Sequence, residues 1–280
     1  MLASMKEVLA WAEERGCAAA AFDTPNLELL LAAIGAAEAR NEPVIIQHAQ
    51  LHEHEMSIDV IGPIMIAHAS NANVPVCVIL DHGEDLEYVK RAVGLGFTAI
   101  MYDGSQDSYE ENVSVTRAVV ALCHARGIDV EAEIGFTTGH EGLEDADDSR
   151  ENVYTDPVIA AQFVADTGID ALAASVGTVH GFYKAEPRLD FDRIEAIRDC
   201  CGVPLVLHGG SGLSREDTRK AIACGIRKIN YFSYMSNAGV CAVEELLASS
   251  QPKYFHSLAS AATAAMQADA QVAMEMFSMK

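Results

Sequence analysis

Eight short apolar runs recur along this chain, each followed by a longer amphipathic segment, and this alternation limits the available folds more than any other feature. The runs fall at 18–22, 44–48, 74–80, 98–102, 128–134, 171–175, 203–207 and 228–230. Helical patterns fall near 26–39, 56–72, 84–94, 109–126, 156–166, 190–199, 214–223 and 235–249, several opened by a capping residue such as Asp156 before Pro157, or Ser214. Near-continuous apolar strands need cover on both faces, which a parallel sheet wrapped by its own crossover helices provides. Eight such units suit a closed (β/α)8 barrel, with a doubly wound open sheet as the structural runner-up. No Gly-, Ser- or Pro-rich linker interrupts the pattern, so residues 1–280 are expected to form one domain with an extra helix at each end.

One connection breaks the rhythm. FTTGHEGLEDADDSREN (136–152) has little helical pattern and six carboxylates, and is expected to be a mobile loop leaving the C-terminal face of the barrel.

Charge narrows the partners. With 19 Lys+Arg against 41 Asp+Glu the chain carries a formal −22, which opposes binding to nucleic-acid phosphates and to anionic membrane surfaces. An anionic substrate therefore needs a local receiver, such as backbone N–H groups or a metal. Seven cysteines, odd in number and without CxxC spacing, read as reduced core thiols. The N-terminus is amphipathic and partly acidic, and no run approaches 18 apolar residues; a cytoplasmic protein is expected.

In a barrel the chemistry collects where strands end at the C-terminal face. Strand 3 ends in Asp81-His82-Gly83, strand 4 in Asp103-Gly104, and strand 5 carries Glu133. Strand 6 runs into His180-Gly181, strand 7 into His208-Gly209-Gly210-Ser211-Gly212, and strand 8 into Asn230. A lone strand-end histidine is usually structural, but three from different strands converge on one mouth, as for a catalytic Zn²⁺ with an open position; cobalt or iron would also suit. Such a metal polarises a carbonyl or stabilises a developing enolate. The HGGSG turn before a helix offers an anion nest, and strands 7 and 8 are a common phosphate position in barrels. Asp81 and His82 can serve one site only if the backbone turns between them, because consecutive strand residues face opposite ways.

At these residues a resemblance becomes specific. VPVCVILDHG (74–83), AIMYDGS (99–105), VEAEIG (130–135), ASVGTVHGFYK (174–184), VLHGGSGL (206–213) and KIN (228–230) are similar to the class II, metal-dependent fructose-bisphosphate and tagatose-bisphosphate aldolases. The similarity runs in order from about residue 3 to 245, with the last 35 residues matching loosely. It implies a lyase that reversibly cleaves a phosphorylated ketose to dihydroxyacetone phosphate and an aldehyde through an enediolate. It implies His82, His180 and His208 as ligands of a divalent metal, Asp81 as acid/base at the cleaved bond, and Glu141, beside His140, as the group moving the triose-phosphate proton. Asp103 and Glu133 resemble carboxylates of a second metal position, or else orient the histidines. Gly181, Gly209, Gly210, Ser211 and Ser233 would take the phosphate, with a monovalent cation nearby, and Asn230 would hold the enediolate. A homodimer or homotetramer is implied as well.

The departures from the family pattern concern the other half of the substrate. Tyr231-Phe232-Ser233 stands where a small or acidic residue and a threonine are usual, Ala49 replaces a small hydroxyl or glycine, and Thr138-Gly139 replaces a Gly-Gly pair. Phe255-His256 stands where a Pro-Arg pair would hold a distal phosphate, so a strong bidentate anion contact is missing. The metal chemistry is expected to be intact and recognition of the aldehyde half altered. His48, His52 and His54 in QHAQLHEHE are expected on an exposed loop rather than at a second metal, with His48 the one placed to face the distal substrate. Lys184 lies past His180, which makes a Schiff-base route weak. A metal-dependent sugar-phosphate epimerase or isomerase, and a non-catalytic sugar-phosphate sensor, are the rival functions.

Overall fold

The structure, a computed structural model, describes residues 1–135, 137, 154–183 and 186–280. Eight parallel strands close in sequence order, β1 pairing with both β2 and β8. They are β1 (Ala19–Asp23), β2 (Val44–Ala49), β3 (Val76–Gly83), β4 (Ala99–Tyr102), β5 (Asp129–Ile134), β6 (Ala171–Ala174), β7 (Leu205–Leu207) and β8 (Ile226–Tyr231). The crossover helices are α2 (Leu27–Arg40), α3 (Ile58–Asn71), α4 (Leu86–Leu95), α5 (Tyr109–His124), α6 (Pro157–Thr167), α7 (Phe191–Cys201) and α8 (Arg215–Cys224), with α9 (Ser233–Ser249) after β8. The added helices are α1 (Met5–Arg15) and α10 (Phe255–Phe277). The (β/α)8 expectation holds, and the open sheet is excluded by the β1–β8 pairing.

Strand parity splits the buried apolar residues into two cores. Residues of one parity, among them Phe22, Ile46, Val78, Ile100, Val130, Leu172 and Ile229, pack outward against the helices. The opposite parity, Ala19, Ala21, Ile45, Cys77, Ile79, Ala99, Met101, Ala171, Ala173 and Val206, fills the barrel interior together with Met5, Val8, Leu9 and Ala12 of α1. Small and branched side chains are needed here, because inward Cβ vectors crowd toward the axis. With α1 packed into this inner core, the same parity further along the strands carries polar residues at the C-terminal mouth: Asp23, Gln47, Asp81, Glu131, His208, Lys228 and Asn230, each at most 3% exposed.

Local chemistry sets the helix starts. Asp156 accepts from the Val158 and Ile159 N–H groups with Pro157 following, and Ser214 accepts from the Asp217 N–H, as expected of capping residues. A feature absent from the sequence reading is the 3-10 turn Gln50–His54 after β2. At the other end of the chain, α10 lies against α2 and α9. It buries Met266 and Met274, and the Phe277 carbonyl accepts from the Ala18 N–H. Of the seven cysteines, Cys200 of α7 and Cys241 of α9 are exposed rather than in the core.

Candidate active site

The centre of the mouth depends on a break in β3. Leu80 pairs with Ile100, but Gly83 pairs with Tyr102, so one extra residue bulges out of β3 between them. Within the bulge His82 adopts φ +43°, a left-handed conformation that costs a non-glycine residue energy and marks a constrained position. The bulge turns His82 toward the face that Asp81 already occupies. The Asp81 carboxylate accepts from Asn230 Nδ2 at 3.3 Å and lies 3.9 Å from His82 Nε2.

Three imidazoles meet there: His82 from β3, His180 from the loop after β6, and His208 just past β7. Their ring centres are 4.7 to 5.7 Å apart, and ligand atoms of all three lie within 4.8 Å of one another. Two carboxylates fix the outer edges of two rings. Asp103 Oδ2 stands 2.7 Å from His82 Nδ1, and Glu131 Oε1 stands 3.0 Å from His208 Nε2. Lys228, fully buried inside the barrel, holds Glu131 in turn, with Nζ 2.9 and 3.1 Å from its two oxygens.

This arrangement fits a metal. With the outer nitrogens committed as donors to carboxylates, His82 Nε2 and His208 Nδ1 turn lone pairs toward each other across 3.0 Å. Two lone pairs that close require a cation between them, a proton or a metal ion. The charges agree. Burial works against charge on His82, yet Asp81 and the bond to Asp103 outweigh it and raise its pKa well above the ordinary value. Burial and the neighbouring His82 charge drive that of His208 well below. A second group that could hold an ion comprises His82, Asp103 and Glu133. Burial and then the nearby Asp103 charge push the Glu133 carboxyl up to about 8, and among the described residues its buried Oε2 has no hydrogen-bond partner.

On the far side of His208 the chain makes a glycine cradle. Gly209 sits at φ +67°, and a Cβ there would meet the Val179 carbonyl at 2.3 Å. At Gly210 a Cβ would meet Ile229 Cγ2 at 2.3 Å and the Asn230 carbonyl at 2.7 Å. Only glycine lets this turn nest between the β6 loop and β8. Gly181, at φ +85°, belongs to the β6 loop. The Ser211 hydroxyl accepts from the Phe232 N–H at 2.9 Å, tying the cradle to the start of α9, where the buried Ser233 Oγ has no hydrogen-bond partner among the described residues.

Two expectations about the β2 segment need correction. His48 does not face the mouth: its parity is that of the outward residues Val44 and Ile46, and its Nε2 lies 3.3 Å from the Tyr88 hydroxyl of α4. Gln47 is the inward residue, donating to Asp23 at 3.4 Å. His52 is not on an exposed loop; the 3-10 turn folds it against the barrel rim, leaving it 3% exposed with its ring centre 5.5 Å from that of Phe232. His54 is exposed, and none of the three joins a metal-holding group among the described residues. His256 is exposed at the start of α10 and stacks on Tyr254. Glu141, His140, Thr138, Gly139, Lys184 and nearly all of the 136–152 loop lie outside the described residues. Glu131 and Lys228 are the site residues that the sequence reading missed; charged residues at inward parity within apolar strands were the available signal.

The fold is a (β/α)8 barrel whose C-terminal mouth brings three histidines together beside a glycine turn. Residues 3–280 match the model of the class-II fructose-bisphosphate aldolases, and the chain belongs to that family. The match includes the C-terminal segment that motifs alone left loosely aligned. A fructose-bisphosphate aldolase of Staphylococcus epidermidis is 40% identical over 258 residues, 90% of this chain and 88% of that protein. One of Geobacillus stearothermophilus is 41% identical over 254 residues, 88% and 86% of the two chains. Among solved structures, the YdjI aldolase of Escherichia coli K12 superposes with a TM-score of 0.88 at 35% identity, covering 99% of this chain and 97% of that one. The chain is thus a metal-dependent lyase that catalyses aldol cleavage, and its family implies a phosphorylated ketose as substrate. Among the described residues no helix is long and apolar enough to cross a membrane.

Proposed function

We propose that this lyase, acting as one barrel domain over residues 1–280, cleaves a ketose 1-phosphate or bisphosphate between C3 and C4, giving dihydroxyacetone phosphate and an aldehyde. The observation that carries this reading is the convergence of three imidazoles beside Asp81 and next to a glycine cradle. His82, His180 and His208 would hold Zn²⁺ or another divalent ion, which supplies the positive charge that the enediolate product of bond breaking requires. Asp81 takes the C4 hydroxyl proton as the C3–C4 bond breaks and its electron pair moves toward the C2 carbonyl. Asn230, within 3.3 Å of Asp81 and 3.4 Å of His208 Nδ1, donates to the oxygens that become the enediolate. Glu141, by family resemblance, returns a proton to C3.

The phosphate end rests on Gly181, Gly209, Gly210, Ser211 and Ser233, with a monovalent cation beside it, which answers the need for a local anion receiver in a chain of charge −22. Asp103 and Glu131 act as orienting acceptors for His82 and His208, and Glu133 with Asp103 forms a second position for the ion. The protein is read as a cytoplasmic homodimer or homotetramer, which sedimentation showing only 30.0 kDa particles would contradict. The deciding experiment is a coupled assay for dihydroxyacetone phosphate on fructose and tagatose 1,6-bisphosphates and on their 1-phosphates, with and without chelator. Chelator-sensitive release is expected; bound metal without release from any of them would point to an unusual ketose substrate first and to the epimerase and sensor readings second.

A further inference from the structure

The sequence departs from its family pattern after β2 and after β8, about 180 residues apart, and in the fold these two segments touch. His52 of the 3-10 turn packs on Phe232, the residue just before α9. His52 is 3% exposed, and among the described residues neither its Nδ1 nor its Nε2 has a hydrogen-bond partner. An imidazole carries at least one N–H, and a buried donor left unpaired is costly unless something arrives to accept from it. Its surroundings show where that partner would enter. Phe232 follows β8 at the mouth, and the Asp81 charge reaches the ring. Below it on β2 the inward Gln47 keeps Oε1 buried and unpartnered, and Ala49, 2% exposed, offers no polar group.

We propose that His52, with Gln47 beneath it, is the subsite for the aldehyde half of the substrate and that it reads hydroxyl groups rather than a second phosphate. The proposal rests on the aldolase reading above and names what that site selects. Among the described residues the charges that reach His52 are the carboxylates of Glu55 and Asp81, and burial favours the neutral ring. His48, whose ring centre lies 6.4 Å from that of His52, is kept neutral by burial, and Arg91 is committed to Glu53 and Asp59, each at 2.9 Å. A second phosphate would enter a negative field, and among the described residues no free cation is placed to meet it. A sugar hydroxyl, which both donates and accepts, matches an imidazole with one N–H and one lone pair. Phe232, where a polar residue is usual, closes the apolar wall against which a carbon chain lies.

The test separates the two halves of the reaction. Solvent-deuterium exchange into dihydroxyacetone phosphate alone reports the metal and phosphate half, whereas cleavage of ketose 1-phosphates and 1,6-bisphosphates also requires the aldehyde half. His52→Leu, which keeps the packing and removes both ring nitrogens, is expected to lower kcat/KM for cleavage of the 1-phosphates by at least tenfold more than it lowers exchange. It is also expected to leave Tm unchanged or raised, since no hydrogen bond of the folded protein is lost. His52→Gln, which keeps a donor and an acceptor, should retain more cleavage than His52→Leu, and decides the matter if the leucine variant folds poorly. Equal losses of exchange and cleavage, or no loss in either, would overturn the proposal. So would a wild-type preference for bisphosphates over 1-phosphates. Metal-loaded wild type that neither exchanges nor cleaves would overturn the aldolase reading itself, whereas exchange with cleavage only of bisphosphates would overturn the hydroxyl subsite alone.

Discussion

The two sides of the barrel mouth are built on opposite principles. On the β3–β5–β7 side the outer edges of His82 and His208 are each met by a carboxylate, Asp103 at 2.7 Å and Glu131 at 3.0 Å, and Glu131 is itself held by Lys228. On the β1–β2 side, buried polar atoms of Gln47 and His52 have no hydrogen-bond partner among the described residues. Charge that develops during a reaction is best met by groups already fixed in place, because reorganising them would add to the barrier. Recognition can instead leave hydrogen bonds open for the ligand to complete. Breaking the first side should therefore abolish chemistry, while changes on the second should redirect it. His208→Ala is the largest of these effects. It is expected to lower metal affinity and cleavage together by ~10³-fold or more, since it removes a ligand and strands the buried Glu131–Lys228 pair. Metal content by elemental analysis beside the coupled assay checks it.

Asp81→Ala sharpens the comparison within the fixed side. It should leave the metal bound and lower cleavage by about 10²–10⁴-fold, the range for a positioned acid/base. Cleavage that survives in a metal-replete variant would remove Asp81 from that role. A third prediction concerns stability on the β2 side. Burial, and then the neighbouring His52, lowers the His48 pKa from 6.5 to about 4. The folded protein thus holds His48 neutral, while the unfolded chain takes up a proton below pH 6.5. That contribution to stability is complete above pH 6.5 and is lost as pH falls toward 4, at most about 3 kcal/mol for a shift of this size. Urea unfolding at pH 7 and pH 4.5 should show the loss, and His48→Asn should flatten the slope; an unchanged slope would place the pH dependence elsewhere.

The barrel was legible because parallel strands covered on both faces read as near-continuous apolar runs, and the caps at Asp156 and Ser214 marked helix starts. The turn at Asp81-His82 was legible too: two adjacent strand residues cannot share a face unless the strand is interrupted, and the bulge is that interruption. What escaped notice came from parity. Glu131 and Lys228 looked incidental within VEAEI and KIN, yet their spacing of two from Glu133 and Asn230 puts them on the inward face. The same rule, applied to β2, would have assigned Gln47 rather than His48 to the interior. His52 could not be placed by pattern, since a 3-10 turn carries little periodicity and only the folded rim shows that it is buried.

The mildest break on the fixed side is Asp103→Asn, and the geometry around Asp103 makes its outcome specific. The carboxylate accepts through Oδ2 from His82 Nδ1 at 2.7 Å and through Oδ1 from the Ser105 N–H at 3.0 Å, and the Ser105 hydroxyl donates to it as well. Those bonds and the His82 charge hold its pKa well below the usual carboxylate range, although burial alone would raise it. Asparagine is nearly the same shape but has only one accepting oxygen. If that oxygen faces His82, the amide N–H₂ faces the Ser105 N–H, donor against donor; if it faces Ser105, His82 loses its acceptor and with it the preference for presenting Nε2 to the centre. Either way the imidazole becomes a poorer ligand while most of its packing survives. Metal affinity is expected to fall about 10–100-fold with little change in Tm, and turnover should largely return at saturating metal. A titration showing unchanged affinity would mean that the bulge at φ +43°, rather than the carboxylate, orients His82. A loss of turnover that excess metal cannot restore would instead make Asp103 a participant in the reaction.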